Sequence, residues 1–529
     1  MRKFNFTTMG LPVLGMAAIT ALLVGIPTVP VTPAAAQAPS LNTAKDRCTA
    51  LAGQKIGGAT IAKADFLVTG AATSIFGTKT PVDICRLSAE IAPTVGSNIK
   101  MNVWLPVSWN GKMLGFGGGG FNGGLTIDGL LIIRPSKDGY AGFATDAGHD
   151  VGDGGAKWAL RNPEKIVDFA HRANHLGTVA SKAILSAFYG TDVSHSYFIG
   201  CSNGGRDALM LAQRYPEDYD GIVAGAPANS WTALMSAFAR NGEVTRLSAG
   251  VDSLGPKLKL VHDAAVRKCD ALDGAQDSLI SNPGKCRFDP VVLQCKAETG
   301  PSCLSRPEVS AFRSIYKGTR TADGKLIMPG FPPGSELEWS TWFTSPKGQA
   351  TGMAEEFYRY MVYDDPDWDR MRFALDRDYP VAKQRMAEII DATNNNLRPF
   401  MKHGGKLLMY HGWDDPAIPA GNSIRYFETA RATLGRQANQ MQLFMVPGMA
   451  HCGGGTGPSS LDALGALDKW VQTGTAPEQM IAAKYQDDKL AFVGLATKPI
   501  QTRPVCAWPR TPRYKGSGSI TEAVNFRCK

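Results

Sequence analysis

Residues 199–206 read IGCSNGGR. Ser202 stands between Gly200 and Gly204 in the pattern Gly-x-Ser-x-Gly. The pattern alone is weak, since among 58 glycines chance supplies on the order of 0.4 matches. Its surroundings decide the reading. Upstream, SYFIG (196–200) is a short apolar strand; downstream, DALMLAQRY (207–215) is a helix. A strand that turns through glycines directly into a helix lifts a serine hydroxyl clear of the backbone. The first N–H groups of that helix face any negative charge forming beside it. A plain glycine-rich turn is the competing reading, and the flanking elements disfavour it. Cys201, directly before the serine, is not explained by the motif.

Outward from this stretch the chain alternates strands and helices. MNVWLPVSW (101–109) and MLGFGGGG (113–120) read as adjacent strands, the second running into a glycine loop. NPEKIVDFAHRANHLGTVASKAILSAFYG (162–190) reads as one long helix, with Pro163 in its first turn and Gly190 at its end. DGIVAGAPA (220–228), KLLMYHG (406–412) and QLFMVPG (442–448) each read as a strand ending in a loop. The alternation predicts an α/β fold with a doubly wound, mostly parallel sheet. Between residues 229 and 395 the texture changes to short apolar runs and turns, with Trp231, Trp339, Trp342 and Trp368 and four of the ten cysteines. This stretch reads as an inserted domain, which divides the catalytic domain into residues 37–228 and 396–529.

At the N-terminus, Arg2 and Lys3 precede an apolar run and then VPVTPAAAQA. That is the layout of a secretory signal, residues 1–36, cut near Ala36 or Ala38. An uncleaved anchor is the alternative; Pro12, Pro27 and the A-x-A site favour cleavage. No other stretch is apolar for long enough to span a bilayer. The net charge of +9 falls to +7 once Arg2 and Lys3 leave with the signal. The basic residues are scattered, which speaks for solubility and against a nucleic-acid footprint. Export places the protein outside the cytoplasm, secreted or periplasmic, with no membrane attachment after cleavage. There the ten cysteines default to disulfides. No Cys-x-x-Cys pair supports a zinc ribbon or redox site. Spacing does not fix connectivity. The economical pairing joins neighbours, Cys48 with Cys85, Cys269 with Cys286, Cys295 with Cys303 and Cys506 with Cys528, which leaves Cys201 and Cys452 for each other.

A serine nucleophile needs a base, and the base an orienting acid. HGWDDP (411–416) follows one strand and offers Asp414 and Asp415; MAHC (449–452) follows the next and offers His451. The order Ser, Asp, His is that of α/β-hydrolases. The glycines 117–120 fall where such enzymes place a backbone oxyanion donor, here Gly119 and Gly120, with the N–H of Asn203 as the second. If Cys201 bonds Cys452, their Cα atoms lie about 4.4–6.8 Å apart. The bond then holds Ser202 and His451, each one residue away, close in space.

Cys-Ser early, an aspartate in HGxxD and His-Cys late resemble the tannase and feruloyl esterase family, which also includes a bacterial hydrolase of a terephthalate monoester. ATDAGH (144–149), GCSNGGRDAL (200–209), YPEDYDGIVAGAPA (215–228) and HGWDDPAIPAG (411–421) carry the resemblance across essentially the whole mature chain. It implies an α/β-hydrolase core with a lid inserted after the serine motif. It implies the Cys201–Cys452 disulfide and the four local pairs, and it assigns the acid to Asp415. Asp414 stands where the family more often has a small residue.

The resemblance also implies a structural calcium in the lid, and no organic cofactor. Asp270, Asp273 and Asp277 would supply carboxylates, and Ala275 and Leu279 backbone carbonyls, around a turn at Gly274. Read without the family, CDALDGAQDSLI (269–280) is equally an acidic solvated turn. The activity implied is hydrolysis of esters of aromatic acids through Ser202, His451 and Asp415. Feruloyl-type esters come first; gallate esters and terephthalate monoesters are the alternatives. The lid tryptophans and Phe343 stack on the acyl group or form the lid's own core, and Arg359 or Lys347 would answer a terephthalate carboxylate. A catalytically dead aromatic-binding protein on the same fold, and a peptidase, are the competing classes. The sequence leaves the oligomeric state open.

Overall fold

The computed structural model describes residues 41–73, 78–150, 155–249, 254–297, 300–343, 348–488 and 498–529. The expected signal, residues 1–36, lies outside them. Ten strands form one sheet: β1 (Lys55–Ile56), β2 (Ala59–Leu67), β3 (Ile84–Ile91), β4 (Ile99–Pro106), β5 (Lys112–Phe116), β6 (Ala141–Thr145), β7 (His195–Cys201), β8 (Gly221–Gly225), β9 (Lys406–Gly412) and β10 (Met441–Val446). Their spatial order is β1-β2-β3-β4-β6-β5-β7-β8-β9-β10. From β6 through β10 every neighbouring pair is parallel. From β1 to β4, and from β4 to β6, pairing is antiparallel.

The parallel strands are apolar along their middles because helices cover both their faces. All five residues of β6 and of β8 are buried. One face carries Met113, Phe143, Phe198, Ile222 and Met409, under the helices Ala173–Tyr189 and Ala420–Leu434. The other carries Leu114, Tyr197, Val223, Leu408 and Phe444, under the helix Ala463–Thr473 with Trp470. The expected strands and helices appear, with two differences. The stretches 101–109 and 113–120, expected to be adjacent strands, are not neighbours: the crossover after β5 brings β6 back against β4, so β6 lies between them. The helix over residues 162–190 is interrupted: Pro163–Val167 is α-helical, Asp168–Arg172 is a π-turn, and the α-helix resumes at Ala173–Tyr189. Pro163 stands in its first turn and Gly190 closes it at φ 75°.

The chain between β8 and β9 is mostly helical. Trp231, Phe312, Trp339, Phe357 and Tyr358 form its apolar centre, but Phe121, Trp158, Phe169 and Ile418, from outside the insertion, belong to the same cluster. The insertion therefore shares a core with the loops at the sheet's C-terminal edge, and Pro39–Lys529 is one compact unit. Among the described residues no helix is long and apolar enough to cross a membrane.

Candidate active site

Ser202 lies between β7 and the helix Asn203–Arg214, at φ 64° and ψ −123°. A non-glycine residue held there stores roughly 1–3 kcal/mol. Its backbone is fixed from both sides: the N–H donates to Gly225 O at 3.0 Å, and the carbonyl accepts from Ala228 N at 3.0 Å. Two glycines make the turn possible. A Cβ on Gly200 would stand 2.3 Å from Gly204 O, and one on Gly204 would stand 2.8 Å from Gly118 O. The glycine loop after β5 is thereby packed against the first turn of the serine's helix.

His451 and Asp415 come from the loops after β10 and β9. The imidazole Nδ1–H donates to Asp415 Oδ2 at 2.8 Å. A carboxylate only accepts, so Nδ1 carries the hydrogen and Nε2 is left as the basic nitrogen. Asp415 is fully buried. Burial pushes its carboxyl up, but His451 and His411 outweigh that and hold it well below the usual carboxylate range. The backbone N–H groups of Ala417 and Ile418 donate to Oδ1 at 2.8 and 2.9 Å. His411 lies fully buried against the acid. Its Nε2 is 3.1 Å from Asp415 Oδ2 and 2.9 Å from Ile418 O. Its Nδ1 pairs with Ser423 Oγ at 2.7 Å. The acid thus has a histidine on each side, one turned inward and one toward the site.

Cys201 is bonded to Cys452, with Cα atoms 5.9 Å apart across a sequence separation of 251 residues. The other four bonds are Cys48–Cys85, Cys269–Cys286, Cys295–Cys303 and Cys506–Cys528. No free cysteine is left. These are the five expected pairs, and they suit an oxidising, extracytoplasmic compartment. The central one ties the residue before the serine to the residue after the histidine. Ser202 Oγ itself makes no hydrogen bond among the described residues; such contacts are often loose before substrate arrives.

The expected oxyanion donors fare differently. Asn203 is the first residue of its helix, where N–H groups have no partner within the helix. The N–H of Gly119 donates to Asn122 O at 3.1 Å, closing a tight turn, so it is not available to a bound oxygen. Gly117 N is taken by Ile199 O and Gly118 N by Asp207 Oδ2. Gly120, at φ 58°, has open space around it, and its N–H has no partner among the described residues.

Of the insertion's aromatic residues, Trp342 reaches the site: its ring stands edge-on to His451, centroids 5.3 Å apart. Trp231, Trp339 and Phe343 are core residues of the insertion, each 1% exposed or less. Arg359 is bonded to Glu355 at 2.6 Å and to Trp368 O, so its charge is used locally. Lys347 lies outside the described residues. Asp414 Oδ2 accepts from Thr456 Oγ1 at 3.3 Å. Burial pushes its carboxyl up to about 7; His262 opposes this and Glu336 adds to it.

In the loop expected to hold calcium the carboxylates serve the loop itself. Asp270 accepts from the N–H groups of Asp277 and Ser278, both at 3.1 Å. Asp273 accepts from Ala275 N and Ser281 Oγ, and Asp277 from Leu279 N and Arg503. Among the described residues no three His, Cys, Asp or Glu side chains gather as a cage. The donor chemistry fits a hard cation, being all oxygen. Negative charge is also crowded: burial raises Asp277, Arg503 works against it, and Asp273 and Asp270 push the same carboxyl further up.

Sequence reading missed Arg206, Asp207 and the inner role of His411. The only trace of the first two was an ionic pair opening an otherwise apolar helix.

A serine on a strand–turn–helix elbow, with a buried aspartate–histidine pair in a loop tied to its strand by a disulfide, is an arrangement suited to hydrolysis on an α/β fold. The family model described as "Tannase and feruloyl esterase" matches residues 85–529. An uncharacterised esterase of Xanthomonas campestris is 32% identical, covering 92% of each chain. A probable feruloyl esterase B-2 of Aspergillus oryzae is also 32% identical, covering 84% of this chain and 86% of the relative. The crystal structure of feruloyl esterase B from Aspergillus oryzae superposes with a TM-score of 0.84 at 29% identity, covering 92% of this chain and all of that one. A tannin acyl hydrolase from Aspergillus niger shares the fold, with a TM-score of 0.73 at 21% identity. The chain belongs to the tannase and feruloyl esterase family. It is a carboxylic ester hydrolase.

Proposed function

We propose that the protein is an exported serine esterase that hydrolyses hydroxycinnamoyl-type esters. One observation supports the machinery above all: the 2.8 Å bond from His451 Nδ1 to buried Asp415, in a loop joined by disulfide to the serine's own strand. Ser202 Oγ attacks the ester carbonyl, forming the C–O bond as its proton passes to His451 Nε2. Asp415 holds the tautomer and stabilises the imidazolium. The N–H groups of Asn203 and Gly120 receive the oxyanion. His451 returns the proton to the departing alcohol, and water then releases the acid by the same steps in reverse roles. The insertion acts as a lid over the acyl group, with Trp342 as its contact at the histidine. The names of the relatives support the hydroxycinnamoyl class. Gallate and terephthalate monoesters rank behind it, the latter because Arg359 is already paired. Export to the periplasm or medium is supported by the five disulfides and by the N-terminal sequence. A structural calcium held by Asp270, Asp273, Ala275, Asp277 and Leu279 would stiffen the insertion.

The test is a hydrolysis panel on methyl ferulate, methyl gallate, a terephthalate monoester and a short-chain nitrophenyl ester, run with wild type, Ser202→Ala and Trp342→Ala. We expect methyl ferulate to be preferred, all hydrolysis to vanish in Ser202→Ala, and Trp342→Ala to raise KM on the aromatic esters only. Hydrolysis that survives Ser202→Ala would remove the mechanism. Hydrolysis confined to the nitrophenyl ester would remove the substrate class.

A further inference from the structure

Arg206 and Asp207 are fully or nearly fully buried, at 0% and 4% exposure, in the first turns of the serine's helix. A buried guanidinium is tolerated only when its donors are met, and here three segments of chain meet them. Nε donates to the side-chain Oδ1 of Asn203 at 2.7 Å. Nη2 donates to Asp207 Oδ1 at 2.7 Å and to Phe169 O at 3.0 Å. Nη1 donates to Ala170 O at 2.7 Å and to Ile390 O at 3.4 Å. Phe169 and Ala170 lie in the π-turn, where the slipped ladder leaves carbonyls free to accept. Ile390 ends the last long helix of the insertion. The guanidinium also lies over the rings of Phe169 and Trp231, at 4.9 and 5.6 Å. The other oxygen of Asp207 accepts the N–H of Gly118 at 3.3 Å.

One ion pair therefore touches both places from which the oxyanion donors come: Asn203 through its side chain, and the glycine loop through Gly118. We propose that the Arg206–Asp207 pair is the positioning element of the oxyanion hole, fixing Asn203 and the Gly118–Gly120 backbone relative to Ser202. It ties that geometry to the π-turn and to the end of the insertion. This rests on the esterase reading above. Neither side chain is placed against substrate, so both are positioning residues. Their effect belongs to the tetrahedral state, in which the oxygen is charged, and not to substrate binding.

The experiment uses the purified full chain as wild type, Asp207→Asn, and the apolar pair Arg206→Met with Asp207→Leu, which removes both charges of the pair together. Functional sites are counted by end-point labelling of Ser202 with a fluorophosphonate. kcat per labelled site and KM are then measured on methyl ferulate and on a short-chain nitrophenyl ester, with the Ki of an arylboronic acid that forms a tetrahedral adduct on the serine. We expect kcat per site to fall about tenfold to a hundredfold on both esters, with KM within about twofold and boronate affinity weakened in parallel. A kcat per labelled site within twofold of wild type in a folded variant overturns the proposal. So does a change confined to KM, or failure of both variants to fold, since the pair is then structural only. Wild type that neither labels nor hydrolyses would instead remove the esterase reading itself.

Discussion

Asp415 is fully buried and yet ionised, because His451 and His411 flank one carboxylate oxygen and two backbone N–H groups occupy the other. Its folded pKa is depressed, so its contribution to stability is present above the unfolded value and is lost as pH falls through the folded one. Asp415→Asn removes the charge that favours the imidazolium and offers Nδ1 a group that also donates. We expect kcat to fall by roughly 10³–10⁴ with KM little changed, measured on the preferred ester. Asp414, its neighbour, has the opposite sign. Its folded pKa is raised to about 7, burial being the main cause. The folded state then binds its proton more tightly than the unfolded chain does, and stability declines as pH rises from about 4 toward 7. The advantage of Asp414→Asn over wild type in thermal unfolding should therefore widen with pH, by about 3 °C between pH 4 and pH 8.5. A difference between the two that stays constant over that range would contradict this.

Between elements, the central disulfide closes far more chain than the other four, with a sequence separation of 251 against 37 for the next longest. The chain-entropy model gives about 5 kcal/mol for such a loop as an upper figure. Cys201→Ser with Cys452→Ser should lower both the unfolding temperature and kcat, because a displacement of about 1 Å between nucleophile and base costs on the order of a hundredfold. Cys506→Ser with Cys528→Ser should lower the unfolding temperature alone; equal losses of kcat in the two pairs would show that the central bond has no special part in catalysis. The elements themselves were largely legible in sequence. Period-two and period-3.6 patterns are local, and the strands before Ser202, Asp415 and His451 announce themselves by composition. The π-turn at Asp168–Arg172 was not legible. Its register slip is stabilised by Arg206, more than thirty residues away, and no local pattern carries that contact. Gly119 failed for a related reason: four consecutive glycines look alike in sequence, and only the turn to Asn122 decides which N–H groups are taken.

At the scale of the whole molecule, Ser202, Asp415 and His451 could be named as candidates from sequence because the chemistry demands those types in chain order, whereas the placement of the insertion was not legible. Which tryptophan reaches His451 depends on how the shared apolar core packs. Hydrogen bonds, rather than that apolar packing, join the insertion to the C-terminal segment. Arg503, on the strand Gln501–Cys506, is bonded to Asp277, and Arg513 donates to Leu272 O at 2.6 Å. The acidic loop 270–279 is thus a joint between the insertion and the C-terminal segment. A cation bound there would stabilise the folded chain by RT ln(1 + [L]/Kd), since the unfolded chain offers no assembled oxygen site. Calcium at a hundredfold excess over its Kd would contribute about 2.7 kcal/mol. We therefore expect EDTA to lower the unfolding temperature and calcium alone to restore it. Asp270→Asn with Asp273→Asn should abolish the calcium response, while kcat on a short-chain ester at low temperature stays unchanged. An unfolding temperature indifferent to calcium in wild type would leave the loop as the self-bonded acidic turn that its hydrogen bonds already describe.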